Sequence, residues 1–256
     1  MTPTPLKPVN YDDGQHANYR AARDLGPGNR ALWAAALSAH APEHRPLDVL
    51  DLGCGTGRYT LTLAETFGGR TWGVEPSEKM RAVAGSGSAH PQVEYLEGRA
   101  ERIPLPDDAC DLVLMFLSFH HVRDRAAAAR EIRRVLKPGG RVMIRSPFND
   151  RMPDVHWHRF FPRARDIELA MFPSTTEVRD VFAAVGLQMI ALDTVREQFG
   201  HSLADTAQRL RSRSISTFEH LSEAEIEAGF ARLDRDVAAS VTDEPNFGDS
   251  DLMVFA

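Results

Sequence analysis

Lysine is almost missing from this chain: Lys7, Lys79 and Lys137 are the only three among 30 basic residues, and arginine supplies the rest. With 36 acidic residues the formal net charge is −6, and no long basic run appears. That balance excludes the electrostatic footprint of a nucleic-acid binder. Cysteine is equally scarce. Cys54 and Cys110 are the only two, too few for a disulfide framework and wrongly spaced for a Cys/His metal site. There is also no long apolar span and no signal peptide, so a soluble, cytoplasmic protein that neither crosses nor anchors in a membrane is expected. What remains, 256 residues with 43% hydrophobic content, suffices for one sizeable α/β domain carrying a modest insertion.

The chain is organised around Leu47-Asp-Val-Leu-Asp-Leu-Gly-Cys-Gly-Thr-Gly57. Leu47 to Leu52 reads as a strand buried on both faces, since it is apolar and bounded by turn formers. A glycine loop follows, and a helix starts near Arg58. Gly53, Gly55 and Gly57 let the backbone turn sharply and approach a ligand, because no Cβ stands in the way. A dinucleotide fingerprint wants G-x-G-x-x-G; read from Gly53 the third place is Arg58, and read from Gly55 it is Thr60. The run is instead Asp51-x-Gly53-x-Gly55-x-Gly57, which resembles the first motif of the class I S-adenosylmethionine-dependent methyltransferases.

Further segments extend the resemblance. Thr71-Trp-Gly-Val-Glu75 reads as the second strand, with Glu75 about twenty residues past the glycines, where a carboxylate accepts hydrogen bonds from ribose hydroxyls. "Glu-Pro-Ser-x-x-Met" over Glu75–Met80 is similar to the family's second motif, which implies that Pro76 and Met80 pack on adenine. Val93 to Gly98 is the expected third strand. Arg99-Ala-Glu-Arg-Ile-Pro-Leu-Pro106 resembles the family's "G-D-A-x-x-L-P-F" segment, but Arg99 stands where an Asp often holds the adenine amino group. Ala100 and Glu101 are then left to serve adenine. Cys110 to Ser118 reads as a central fourth strand, continuously apolar, and ends in Phe119-His120-His121. "Glu-x-x-Arg-Val-Leu-Lys-Pro-Gly-Gly" over Glu131–Gly140 is a frequent scaffold feature of the family, between a helix over 125–136 and a fifth strand over 141–146.

The resemblance implies a Rossmann-like, doubly wound α/β fold with seven strands, the last antiparallel. It also implies S-adenosylmethionine as cofactor, with Asp51, Gly53, Cys54, Gly55, Thr56, Gly57 and Leu117 among the residues around it. A Tyr-x-x-x-Arg element near the N-terminus of such enzymes reaches the methionine carboxylate, and Tyr19 and Arg23 fit that spacing. The expected division is a helical flap over 1–40, a cofactor-binding core over 41–148, and a remainder over 149–256 that completes the sheet and adds lid helices. In that remainder, sheet strands are expected over 187–195 and 251–256, and lid helices over 201–216 and 222–239. The aromatic, His-rich stretch containing His156, Trp157, His158 and Phe172 lies where family members place substrate-covering insertions; Tyr11 is a further substrate candidate.

A sulfonium already carries an activated methyl group. The protein must align an acceptor and keep water out, which is worth on the order of 7 kcal/mol in favourable cases. A hydroxyl or protonated amine acceptor also gains about 10² to 10⁴ from a general base. Histidine suits that work, so His120 and His121 are the catalytic candidates. No Asn-Pro-Pro-Tyr follows the fourth strand, no cysteine stands as an evident nucleophile, and no acidic cluster suggests magnesium. A small-molecule metabolite or natural-product acceptor is expected, with the chain a monomer or homodimer. Two other readings stay open: an NAD-dependent oxidoreductase, and a protein of the same fold that uses the sulfonium without transferring methyl, as in a cyclisation.

Overall fold

A computed structural model describes residues 26–87, 90–152, 155–240 and 244–256. Tyr11, Tyr19 and Arg23 lie outside them. The chain forms α1 (Gly26–His40), β1 (Leu47–Leu52), α2 (Thr60–Phe67), β2 (Gly68–Glu75), α3 (Glu78–Gly87) and β3 (Val93–Glu97). Next come β4 (Cys110–Phe116), α4 (Arg125–Val135), β5 (Leu136–Ser146), α5 (Pro162–Met171) and α6 (Thr175–Ala183). Then follow β6 (Met189–Gly200), α7 (Leu203–Arg211), α8 (Glu223–Ala239) and β7 (Asn246–Phe255). The seven strands lie in the order β3-β2-β1-β4-β5-β7-β6, with β7 antiparallel to both neighbours. The expected fold class is the one observed. The order reverses between β1 and β4, where a crevice opens beyond the strand ends.

Side-chain alternation divides the core. From β1, Leu47 and Val49 join Trp33, Leu37, Leu63 and Phe67 under α1 and α2, while Leu50 and Leu52 face the other way. There they meet Ala128 and Ile132 of α4 and Val178 and Phe182 of α6. β4 sits in the middle of the sheet, fully buried, and a register shift after Cys110 places Cys110 and Leu112 on opposite sides despite their two-residue spacing. At the other end of the strands, Lys137 bridges Asp48 and Asp111, each at 2.8 Å, tying β1, β4 and β5 away from the crevice.

Two buried polar groups sit under α1. Arg145 of β5 pairs with Glu197 of β6, and Trp33 Nε1 donates to Glu197 at 3.0 Å. Burial raises the Glu197 carboxyl pKa, but Arg145, Ser250 and Trp33 outweigh it and hold the group below the usual carboxylate range. A third hydrophobic cluster stands apart from the sheet. It joins Trp157, Phe160 and Phe161 to Ile167 of α5, Leu210 of α7 and Leu233 of α8.

Element bounds differ from expectation mainly late in the chain. β5 begins at Leu136 because Leu136 pairs with Cys110 across the Lys-Pro-Gly-Gly bend. β6 and β7 run on together as far as Gly200 and Asn246, so the seventh strand starts five residues before Asp251. The helix expected over 201–216 stops at Arg211, where Arg213 takes a positive φ of 51°. A short turn, Ser216–His220, fills the gap before α8. Among the described residues no helix is long and apolar enough to cross a membrane.

Candidate active site

The glycine loop turns at Gly53, whose φ is +77° and where a Cβ would stand 2.5 Å from the Ser118 Cβ. Only glycine fits both demands. Ser118 closes the contact by donating its hydroxyl to Leu52 O at 2.7 Å. Gly57 also needs its positive φ, but its missing Cβ makes room for the Tyr95 hydroxyl of β3 and not for the crevice. At Gly55 no atom of the described residues lies within 4 Å of the place a Cβ would take.

Glu75, at the end of β2, holds this loop. Its Oε2 accepts from Gly55 N at 3.0 Å and its Oε1 from Ser77 N at 2.9 Å. These two hydrogen bonds fix the Glu75 carboxylate beside the loop, at the edge of the crevice. Asp51, at the end of β1, is 2% exposed and accepts the Thr60 hydroxyl at 2.7 Å. Burial pushes its carboxyl up to about 6, helped by the nearby Glu75 charge, while Thr60 and Arg58 pull the other way. Burial raises the Cys54 thiol well above its ordinary value, so it stays protonated and is no nucleophile.

These groups line a cavity of about 810 Å³ over the β1/β4 reversal. Asp51, Gly53, Cys54, Gly55, Thr56 and Glu75 form its floor. Pro76, Met80, Arg99, Ala100 and Glu101 form one wall. Glu101 also accepts from Arg123 N at 3.1 Å, joining the loop after β3 to the loop after β4. Phe116, Leu117, His120 and His121 line the cavity at and past the end of β4, two strands over from β2 in the sheet. Leu117 takes a left-handed φ of 58°, rare for a branched side chain, and its N–H donates to Arg145 O at 2.9 Å. That conformation ends β4 and directs the following residues across the crevice.

Burial, with the neighbouring His220 adding to it, pushes the His121 imidazole down to about 4. It is therefore neutral around pH 7. His120 meets the Phe172 ring edge-on, with centroids 4.5 Å apart. The structure thus brings together nearly all the residues singled out for cofactor and catalysis. Gly57 does not line the cavity, and neither do His156, Trp157, His158 and Phe172. Trp157 stacks on Phe218 and His158 bonds to Glu168, both inside the third cluster. Lining residues that the sequence reading did not single out include Tyr59, Val122, Arg123, Ala170, Met171 and His220. Tyr59 stacks on Phe116 with centroids 3.8 Å apart.

The donor set fits the cofactor that the sequence implies. Among the described residues Thr56 Oγ1 is buried without a hydrogen-bond partner and none stands over the face of Gly55, and two carboxylates suit a ligand that carries positive charge.

Residues 50–144 match the family described as a methyltransferase domain. The chain is 29% identical over 197 residues to an O-methyltransferase of Aspergillus sclerotiorum, covering 74% of this chain and 69% of that protein. It is 35% identical over 117 residues to the demethylmenaquinone methyltransferase of Lactococcus lactis. That match covers 44% of this chain and spans only about half of the relative, 46%. Among solved structures, a putative methyltransferase from an antibiotic biosynthesis pathway of Anabaena variabilis superposes with a TM-score of 0.69 at 21% identity, covering 86% of this chain and 95% of that one. At that identity the likeness speaks for fold alone. Over residues 50–144, therefore, the chain is similar to the methyltransferase-domain family, on a fold that solved methyltransferase structures share.

Proposed function

We propose that this protein moves the methyl group of S-adenosylmethionine to a small-molecule acceptor by direct displacement. One observation carries the reading. The glycine loop and Glu75, at the ends of β1 and β2, open into the same cavity as His120 and His121, just past β4.

Glu75, lining the cavity at the end of β2, takes the ribose hydroxyls. Pro76, Met80 and Ala100 supply the apolar surface for adenine, with Arg99 and Glu101 at its edge. Asp51 and the Gly53–Thr56 loop face the methionine end together with Leu117. Tyr19 and Arg23 remain the proposed partners of the methionine carboxylate, and Tyr11 of the acceptor. His120 and His121 face the acceptor. Phe172 acts on it by packing against His120, and His156, Trp157 and His158 act through the wall they support. The cofactor supplies an electrophilic methyl on a charged sulfur. The chain's own residues hold, orient and dehydrate the two partners, which is where the rate gain of such a reaction originates.

Calorimetric titration with S-adenosylmethionine, S-adenosylhomocysteine and NAD tests the cofactor half. Both sulfur ligands bind and Glu75→Ala abolishes the binding, since that change removes the ribose acceptor and the clasp on Gly55 together. Tight NAD binding without the sulfur ligands would sink the reading. Acceptor screening then follows production of S-adenosylhomocysteine; binding without turnover across acceptor classes would favour use of the sulfonium without methyl transfer.

A further inference from the structure

Gly73 has no backbone reason to be glycine. It stands inside β2 and is not among the residues with positive φ; in such a place glycine weakens a strand and marks a close approach. The approach comes from the edge of the sheet. Tyr95 of β3 is the direct partner of Gly73 in the ladder, and a Cβ on Gly73 would stand 2.6 Å from Tyr95 Cδ1 and 2.8 Å from Cε1. The same ring continues past β2. A Cβ on Gly57 would stand 2.8 Å from Tyr95 Cζ and would overlap its hydroxyl oxygen. One edge of one aromatic ring therefore runs from β2 to the loop after β1, and glycine occupies both places it crosses. Cys54, inside that loop and on the cavity floor, comes to the same spot: its Sγ lies 2.9 Å from where the Gly73 Cβ would be.

The glycine loop has two limbs. The near limb is bonded to β2: Gly53 N and Cys54 N both donate to Val74 O, at 2.8 and 3.2 Å, and Gly55 N donates to Glu75. The far limb, Thr56 and Gly57, folds back with Gly57 N donating to Cys54 O at 3.0 Å, and Gly57 rests on Tyr95. We propose that Tyr95, from outside the cavity, is a positioning residue for the cofactor: it props the far limb and so sets the height at which Gly55 and Thr56 meet the ligand. The inference rests on the cofactor half of the methyl-transfer reading above. Hydrogen bonds to β2 fix one end of a run whose three glycines leave the backbone soft. A rigid ring with only two side-chain torsions limits the other end. β3 is the edge of the sheet, yet through this ring it acts on a loop two strands away. A shorter side chain lets the far limb sink toward β3, and a misplaced contact surface weakens whatever it was shaped to hold.

Calorimetric titration of the full chain with S-adenosylhomocysteine and S-adenosylmethionine reads this without knowledge of the acceptor. Each variant is titrated well below its own unfolding midpoint, so that only folded protein is compared. Tyr95→Leu keeps an apolar side chain but loses the reach. It weakens both ligands at least about tenfold, and equally, since the lost contact carries no charge. Tyr95→Phe keeps the ring and stays within about threefold of wild type. Val135→Ala truncates a fully buried side chain at the end of α4, remote from the loop, and serves as the control. It lowers the urea midpoint and leaves both affinities unchanged, which separates positioning from general loosening. Tyr95→Ile replaces the Leu variant if that does not fold. Wild-type affinity in Tyr95→Leu, a loss in Tyr95→Phe as large as in Tyr95→Leu, a loss for one ligand only, or an equal loss in Val135→Ala overturns the proposal. Failure of S-adenosylhomocysteine to bind wild type, measured in the same series, overturns the cofactor reading itself.

Discussion

Replacing Asp51 with Asn should stabilise the protein and weaken its cofactor binding together. Asp51 is 2% exposed at the end of β1, and burial raises its carboxyl from 3.8 to about 6. A raised carboxylate pKa means that folding disfavours the charged form. The penalty is absent below the unfolded value, grows as pH rises toward 6, and is complete above it. A shift of this size amounts to about 3 kcal/mol at pH 7.5 and about 1.5 kcal/mol at pH 5. Asn is a neutral isostere whose Oδ1 still accepts the Thr60 hydroxyl. Urea denaturation of Asp51→Asn against wild type should therefore show a gain of about 3 kcal/mol at pH 7.5, shrinking by about half at pH 5. In a thermal scan at pH 7.5 the gain corresponds to roughly 6–12 °C for a domain of this size. The affinity for S-adenosylmethionine falls in the same variant, because the ligand's positive charge loses a carboxylate counterpart. A gain equal at both pH values, or a loss at pH 7.5, would refute the claim that Asp51 is held charged at a cost. A site tuned for a cation and against its own stability is a familiar form of the stability–function trade-off.

Other consequences are open to simpler measurements. S-adenosylmethionine should bind more weakly as pH falls through 6, where Asp51 protonates, and S-adenosylhomocysteine, lacking the sulfonium charge, should weaken less; parallel calorimetric curves for both ligands would contradict this. Gly53→Ala forces a Cβ within 2.5 Å of the Ser118 Cβ at a positive φ, so it should cost about 1–3 kcal/mol in denaturant melts; an unchanged midpoint would show that the loop relaxes freely. Glu197→Ala leaves Arg145 buried and unpaired, which should cost about 3–5 kcal/mol. Because Glu197 titrates below its ordinary range, the difference should hold at neutral pH and fade only as pH falls through that lowered value. A difference that is flat down to strongly acidic pH would falsify the ion-pair account.

The cofactor half of the molecule was legible because burial and loop geometry constrain sequence directly there. β1 is buried along its length and reads as a strand over the observed Leu47–Leu52. Gly53 and Gly57 are written by close approaches, though spacing does not tell that Gly57 yields to Tyr95 and not to a ligand. The late hairpin was not legible for the opposite reason. The outer parts of β6 and β7 are held by pairing with each other, Arg196 opposite Asp249 and Gln198 opposite Phe247, with Phe247 half exposed. Strands stabilised by a partner and not by a core show no apolar alternation. The break after Arg211 was invisible for a related reason. It is made by buried polar residues, Ser214 and Thr217: Ser214 accepts locally from Ser212, and Thr217 reaches back more than forty residues to Glu168.

The same contrast explains why the acceptor side resists reading from sequence. The floor of the cavity consists of turns at strand ends, whose residues fall in two short runs of chain, 51–56 and 75–80. Its far wall is assembled from α5 and the turn before α8, fifty residues apart, through Glu168 and Thr217. One local signal did exist. The capping box Ser222-x-x-Glu225 marks a helix start, which already places His220 in a turn and not on a helix face. What it does not give is the partner surface, because Met171, which packs against the third hydrophobic cluster, and His121 line the same cavity from distant parts of the chain. The glycine loop and Glu75 are therefore placed by the sheet, and the far wall by the helices packed beside it. Changes in Trp157, Phe161 or Phe218 that repack that cluster should shift which acceptors are used while leaving the glycine loop and Glu75 as they are.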